Sequence, residues 1–414
     1  FQIVRSKLKT LLSRYTQLIN SIFNRESLKF LKSTDVLIYD ESSVRRLAPI
    51  ININNALVFD TSLKKLNIWV LLSSLRYGKP NLQNYLFGYL KIVKPKFVLT
   101  LIDNSIPFYF INSKFPDITT IAIQNGRRDN FGRLPHTGFV DLLSASHKLG
   151  KPQVKHYCMF GMAEINLFQK YISATFHSIG NIQNNSTINQ TMSTSPLAAK
   201  PVVSFVSSHP NLSSSLELTA LSDEVCMYIG DRPITYQDYY GIERLVAGEY
   251  AKICHRLGYK FQIIGKRPIT TPQEAQFFQN AIDELSFEFF PAEHEQASYL
   301  QLLNSDVIIA VDSTLAYEMF ARNKRCVFIS ARGEAIGDES IDFCKFASPL
   351  TVPESGAFWT NRFELFKFEE LLKFAIGSSQ DDWNSCSLEI RNQIMDFDPA
   401  NQKLTTLFAD LGLR

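Results

Sequence analysis

The chain predicts an α/β protein built from two Rossmann-like halves facing each other. Three observations predict it. Short apolar, strand-like runs alternate with helical stretches through residues 35–180; the same alternation restarts at Val202; and a Ser-, Thr- and Asn-rich segment, 182–200, separates the two. Runs apolar on both faces and joined by helices mark a parallel sheet covered on either side. A chain of 414 residues is also too long for one small core and fits two domains of ordinary size. The boundaries read as 1–190, 191–380 and a helical tail, 381–414, that crosses back to the first half.

In the first half the expected strands are 35–40 (DVLIYD), 56–60 (ALVFD), 96–102 (KFVLTLI), 119–123 (TTIAI), 156–160 and 175–179. Helices are expected at 82–93, 106–115 and 163–172. In the second half strand 202–206 is followed by a polar loop and then a helix over 241–257, where apolar residues recur at helical spacing. Strand 261–264, helix 272–285, strand 287–290 and helix 295–303 lead to the most informative stretch, SDVIIAVDSTLAYEMFARNKRCVFIS at 305–330. There an apolar strand ends at Asp312-Ser313-Thr314, a helix follows to Ala321, and a basic turn leads into a second strand. A last helix is expected near 368–376.

Composition narrows the classes. Forty-five per cent apolar and 20 per cent charged residues are usual for a soluble globular protein, and a formal charge of +3 is too small to argue for nucleic acid. Residues 1–33 carry seven Lys or Arg against a single Glu. Such a basic amphipathic start fits an anionic membrane surface, or a surface helix docked by its apolar face. Six scattered cysteines with no CxxC pair read as small buried hydrophobes in a reducing compartment, and no metal site is expected. No apolar run reaches the ~18 residues a membrane span needs. With no visible signal peptide, the expected location is the cytoplasm, at the inner face of its membrane. The chain opens on Phe1, so it reads as a segment of a longer protein carrying further domains.

Ligands of open α/β sheets bind beyond the carboxyl ends of the strands. In the second half those ends deliver His209 with Pro210; Lys266, Arg267 and Pro268; and Asp312, Ser313 and Thr314. A helix starting at Ser-Thr offers unpaired N–H groups, hydroxyls and a positive dipole end, and phosphate is its natural guest. Each residue also has a plainer reading. Ser313-Thr314 can be an ordinary N-cap, Lys266 and Arg267 exposed loop charges, and His209 a structural residue at a strand end. Glu318, one turn beyond Thr314, is placed either to accept from a ribose diol or to sit in solvent. GxGxxG, GxxxxGK[ST] and GxSxG are all absent, which removes the main mechanical part of dinucleotide oxidoreductases, P-loop ATPases and α/β-hydrolases. What remains is a nucleotide held by hydroxyls, backbone N–H groups and basic side chains.

The first half must then hold the acceptor and the acid/base. Asp103 ends one strand, and Gln124-Asn125-Gly126-Arg127-Arg128-Asp129 ends another. Asp103 or Asp129 is the expected catalytic carboxylate, as base or nucleophile. The alternatives are an N-cap for Asp103 and ion-pairing for Asp129. Arg127 and Arg128 are candidates for an anionic acceptor or for the donor's carboxylate.

The run VLTLIDNSIPFYFINSKFPDITTIAIQNG resembles the bacterial surface-carbohydrate biosynthesis family, with its "IDN" strand end and "IQNG" turn. HYCMFG, FHSIGNIQNN and VDSTLAYEMFARNKRCVFIS match later elements of that family, so the resemblance covers roughly residues 95–380. More distantly the layout is similar to GT-B transferases that use CMP-activated ulosonic acids. By position, Gln124-Asn125-Gly126 stands where they carry an acidic turn, Arg267-Pro268 where they carry His-Pro, and Ser313-Thr314 where they carry a Ser-Ser/Thr pair. The resemblance implies a GT-B fold and transfer of a sugar, preferably Kdo from CMP-Kdo, to a glycan or lipid-linked glycan of the cell surface. No cofactor beyond the nucleotide sugar is implied. The rival expectations are a CDP-polyol phosphotransferase, a UDP- or GDP-sugar transferase on the same scaffold, or a non-catalytic module.

Overall fold

The computed structural model describes residues 28–64, 66–187, 200–208, 223–268, 272–282, 285–294 and 296–413. His209 and residues 1–27 of the basic start at 1–33 lie outside the described residues. Two six-stranded, wholly parallel sheets dominate the molecule. The first comprises β1 (Val36–Tyr39), β2 (Leu57–Phe59), β3 (Phe97–Thr100), β4 (Thr119–Ile123), β5 (Gln153–Met159) and β6 (Ser173–Ser178), in the spatial order β2-β1-β3-β4-β5-β6. The second contains β7 (Val202–Val206), β10 (Lys260–Ile264), β11 (Glu288–Phe290), β12 (Val307–Ala310), β13 (Cys326–Ile329) and β14 (Trp359–Thr360). Its order is β11-β10-β7-β12-β13-β14. Between them in sequence stands an antiparallel hairpin, β8 (Val225–Ile229) and β9 (Arg232–Thr235).

Strand order reverses between β1 and β3 in the first sheet and between β7 and β12 in the second. Such reversals open the crevices in which α/β proteins hold ligands. The central strands are buried on both faces, as their unbroken apolar runs require; all four residues of β12 are fully enclosed. Helix Leu82–Val93 starts where the Asn81 side chain accepts from Asn84 N–H and stops at left-handed Lys94.

The tail returns to the first half as expected. Helix Leu365–Gly377 still packs on the second sheet through Phe368, Leu371 and Leu372. Helix Gln380–Ile394 spans the two halves, and helix Gln402–Asp410 lays Leu404 and Phe408 against Ile38, Leu99 and Ile121 of the first sheet. Burying each such side chain contributes about 1.5–3 kcal/mol, enough to hold a short helix in place. The chain crosses so closely that a Cβ on Gly161 would sit 2.5 Å from the Ile394 carbonyl oxygen. Gly180, at φ +73°, would bring one to 2.1 Å from that of Asp396.

Three expectations are corrected. The segment 182–200 is not a plain linker, because Ile182–Ser186 is a helix. Asn185 there donates to Asn401 (3.0 Å) and accepts from Asp398 N–H (3.0 Å), pinning the tail. The polar loop after β7 contains the β8–β9 hairpin. The following helix starts at Tyr236, five residues early, because Thr235 and Asp238 form a capping box.

Candidate functional site

The carboxyl ends of both sheets open onto one cleft of about 690 Å³ between the halves. From the second half, Ser207, Lys266, Asp312, Ser313 and Thr314 line it, with Glu318 deeper in. From the first come Arg45, Arg46, Asn125, Gly126, Arg127 and Asp129.

The helix Thr314–Ala321 begins at Ser313, whose backbone is extended and whose hydroxyl makes no capping bond to the helix. The plain N-cap reading therefore fails. Ser313, Thr314 and Leu315 line the cleft, and an anion there meets the positive end of the helix dipole. Behind it, Asp312 is held by Arg332 through Nε–Oδ2 (2.5 Å) and Nη2–Oδ1 (2.8 Å). Arg332 is fully buried, pairs also with buried Glu243 (2.9 Å), and lies 3.7 Å over the Tyr239 ring. Burial opposes ionisation of Asp312, but the charges of Arg332, Arg127 and Lys266 together outweigh it and hold its carboxyl below the usual range. Asp312 thus anchors the turn and is not a free acid.

Buried Glu274 shapes the strand end of β10. Its carboxylate accepts from the N–H groups of Lys266 and Arg267 (2.8 Å each) and from the Ser207 hydroxyl (2.6 Å). This turn aims Lys266 at the cleft, whereas Arg267 and Pro268 do not line it. Glu318 is neither a solvated residue nor an open diol acceptor. It is 4 % exposed, takes the Tyr299 hydroxyl proton in a hydrogen bond, and burial pushes its carboxyl up to about 7.

On the first-half wall the expected residues separate. Asp103 is fully buried beneath the cleft, where Arg128 grips its carboxylate through Nε (2.8 Å) and Nη2, and the Tyr157 hydroxyl donates to it at 3.0 Å. Neither Asp103 nor Arg128 lines the cleft, so the expected nucleophile and one of the expected anion ligands form its foundation instead. Gln124 is likewise buried: it accepts from Phe160 N–H (2.9 Å) and donates to Glu164 and to the Gly126 carbonyl (3.0 Å). Arg127 crosses the cleft. It stacks 4.1 Å over the Tyr317 ring and donates to the Ser348 carbonyl at 2.5 Å, while its N–H reaches the Thr314 hydroxyl at 3.4 Å.

Asp129 is the first-half carboxylate that faces the second half. It sits on an arm, 127–136, whose Phe131 packs edge-on against Tyr239 and Phe343 (5.0 Å each). Gly132 exchanges hydrogen bonds of 2.9 and 2.7 Å with Tyr228 of the β8–β9 hairpin. Asp129 Oδ1 accepts from Phe131 N–H (3.2 Å). The side chain is exposed to solvent where it lines the cleft. The protein around it and the nearby Asp312 raise its carboxyl above the ordinary value, toward about 6, against the Phe131 N–H and the pull of Arg128 and Arg127.

Sequence reasoning missed Arg45, Arg46, Arg332 and Glu274. Arg332 has a weak signal, standing three residues beyond β13 as Ser313 stands three beyond β12. The six cysteines are all unpaired. Among the described residues no group of three or more His, Cys, Asp or Glu is arranged for a metal ion, and no helix is long and apolar enough to cross a membrane.

Two sheets meeting over one cleft, closed by a C-terminal crossover, define the GT-B arrangement. A family model described as "putative O-antigen biosynthesis protein" matches residues 121–411, well over half of the chain, and the chain belongs to that family. Among solved structures, a substituted form of the wall teichoic acid polymerase TagF superposes with a TM-score of 0.50 at 11 % identity, over 99 % of this chain and 96 % of that one. The UDP-GlcNAc 2-epimerase of Methanocaldococcus jannaschii reaches a TM-score of 0.46 at 12 % identity, over 92 % and 100 %. At such identities the likeness is one of fold. No curated protein sequence matches the chain.

Proposed function

We propose that this protein is a glycosyltransferase of surface-polysaccharide assembly. It binds a nucleotide-activated sugar on the second-half wall and a glycan acceptor on the first. The observation that carries the reading is Asp129, a carboxylate of raised proton affinity that lines the same cleft as an uncapped Ser313-Thr314 helix start. A base with that proton affinity can take the proton of an acceptor hydroxyl as it attacks the anomeric carbon. The bond to the nucleotide breaks, and the charge left on its phosphate is met by the helix start and Lys266.

The donor we propose is a CMP-linked ulosonic acid such as Kdo. Its support is the likeness of the Ser313-Thr314 motif to that group of transferases, and a phosphate site of one helix start and one lysine, matched to a single phosphate. Thermal-shift titration with CMP, CDP, UDP and GDP tests this. CMP is expected to raise the melting temperature most. A shift by UDP or GDP without CMP would overturn the donor class, and one by CDP alone would favour polyol-phosphate transfer. Unchanged turnover of Asp129→Asn with CMP-Kdo would remove the assigned base.

A lipid-linked acceptor places the protein at the inner face of the membrane. Phe30 (72 % exposed) stacks on Trp69 at 4.4 Å, and Leu72 and Leu75 follow at three-residue spacing, near Lys29 and Lys32. An apolar patch with basic neighbours suits anionic lipid. Co-sedimentation with phosphatidylglycerol vesicles but not phosphatidylcholine vesicles is the expected result; equal recovery with both would contradict it.

A further inference from the structure

Asp129 belongs to the first half in sequence, yet its neighbours on the arm grip the second. The carboxylate itself is exposed and accepts from the Phe131 N–H at 3.2 Å. The residues two before and two after it reach across the cleft. Arg127 lies 4.1 Å over the Tyr317 ring and donates to the Ser348 carbonyl at 2.5 Å. Phe131 sets its ring edge-on against Tyr239 and Phe343, with centroids 5.0 Å from each. It packs there on an apolar cluster of Ile234, Ile336, Ile341 and Cys344, all from the second half. Just beyond, Gly132 and Tyr228 exchange backbone hydrogen bonds, and His136 N–H donates to the Gly230 carbonyl at 3.0 Å.

Both anchors land on one platform. Tyr317 stands about one turn along the helix Thr314–Ala321, whose start is the proposed phosphate site. Its hydroxyl accepts from Ala347 N–H at 3.0 Å, and Asn361, next to β14, accepts from Phe346 N–H at 2.8 Å. The segment 343–348, which receives Phe131 at one end and Arg127 at the other, is thereby fixed to the helix that carries Thr314. The first half keeps its own hold on the arm through Arg128 on Asp103 and through Asn130, whose side-chain oxygen accepts from Val140 N–H at 3.0 Å. A carboxylate on an arm held from both sides wanders little against the reacting atoms, and a displacement of about 1 Å costs on the order of 100-fold in rate.

We propose that Phe131, together with Arg127, is a positioning residue that ties Asp129 to the second half, so that the base stays in register with the donor-phosphate site while the first half supplies the acceptor. This rests on the reading of Asp129 as the base.

The test compares wild type with Phe131→Ala, Phe131→Tyr and Phe343→Ala in two measurements on the full chain. The first needs no activity: amide hydrogen exchange at Gly132 and Tyr228. Both alanine variants are expected to exchange at least about tenfold faster there, while unchanged protection in β3 and β12 shows that they are folded. Should Phe131→Ala lose that protection, Phe343→Ala carries the test from the other side of the contact. The second measurement is release of CMP from CMP-Kdo, to octyl β-glucoside or to water. In either alanine variant kcat should fall at least about tenfold with KM for CMP-Kdo within about threefold, and Phe131→Tyr, which keeps the ring, should restore it. Removing both rings should cost about as much as the larger single loss, because they form one contact. Exchange unchanged in the alanine variants overturns the proposal, as does wild-type kcat in a variant whose arm has come loose. A rise in KM that accounts for the whole loss also overturns it, because Phe131 would then serve donor binding. Full turnover by Asp129→Asn would instead bring down the base reading. If the wild type releases no CMP, the donor class falls, and exchange alone decides whether the ring ties the arm.

Discussion

Asp103 and Arg128 form a two-point ion pair sealed beneath the cleft, with the carboxylate wholly out of solvent and the guanidinium nearly so. The pair fixes where the arm carrying Asp129 leaves the first sheet, and it separates two carboxylates that look alike in sequence. Removing one partner would leave an uncompensated buried charge, which costs about 3–5 kcal/mol. Asp103→Asn is therefore expected to lower the urea unfolding free energy by that order, with any loss of turnover following the loss of fold. A variant of wild-type stability that has lost turnover would return Asp103 to the chemistry.

Asp129 should behave in the opposite way. Asp129→Asn removes a solvent-accessible carboxylate, so the unfolding midpoint should hold while kcat falls by roughly 100-fold or more. The base works ionised. With its carboxyl raised above the ordinary 3.8, kcat/KM in the wild type should fall with pH on an acid limb centred well above 4 and level off above it. An acid limb centred near 4 would contradict the assignment.

Glu318 makes a stability prediction. Its folded value of about 7 lies above the ordinary 4.5, so the folded state holds the proton more tightly. That contribution is fully present below pH 4.5 and is lost as pH rises through 7. At about 1.4 kcal/mol per unit it amounts to roughly 3 kcal/mol as an order of magnitude. Glu318→Gln should flatten the pH dependence of the urea midpoint between pH 5 and 8 relative to wild type; parallel curves would count against a buried, protonated Glu318.

Much of this fold is legible in the sequence, because burial on both faces leaves its mark residue by residue. The bounds 82–93, 119–123 and 202–206 match the elements found there. The β8–β9 hairpin was not legible. Its strands are short, one contains Pro233, and the signal of its Gly230-Asp231 turn is masked because the runs on either side lack a clear apolar alternation. Ser313-Thr314 could be read as a phosphate site since the chemistry lies in consecutive residues at a strand end. Asp103 could not be told from Asp129, because what decides between them is Arg128 folding back across 25 positions. Arg332 and Arg45-Arg46 were hidden for the same reason. A single arginine has no pattern, and its partners, such as Glu243 at 89 positions' distance, are set by the tertiary fold.

Arg332 offers a further check on the donor wall. Arg332→Met removes the shared partner of Asp312 and Glu243 and should destabilise the chain by about 3–5 kcal/mol. Under conditions where the variant remains folded, nucleotide affinity should also fall, because Asp312 no longer holds the Ser313 turn. Unaltered affinity in a folded variant would separate this network from the site.

The Ser313-Thr314 helix start, as proposed, holds the phosphate of a nucleotide donor. Calorimetric titration of CMP into wild type and into Ser313→Ala/Thr314→Ala tests it most directly. One-site binding is expected in the wild type, weakened at least about tenfold in the variant, as the loss of two hydroxyl hydrogen bonds to a charged group requires. CMP binding that is absent from the wild type, or unchanged in the variant, would contradict it.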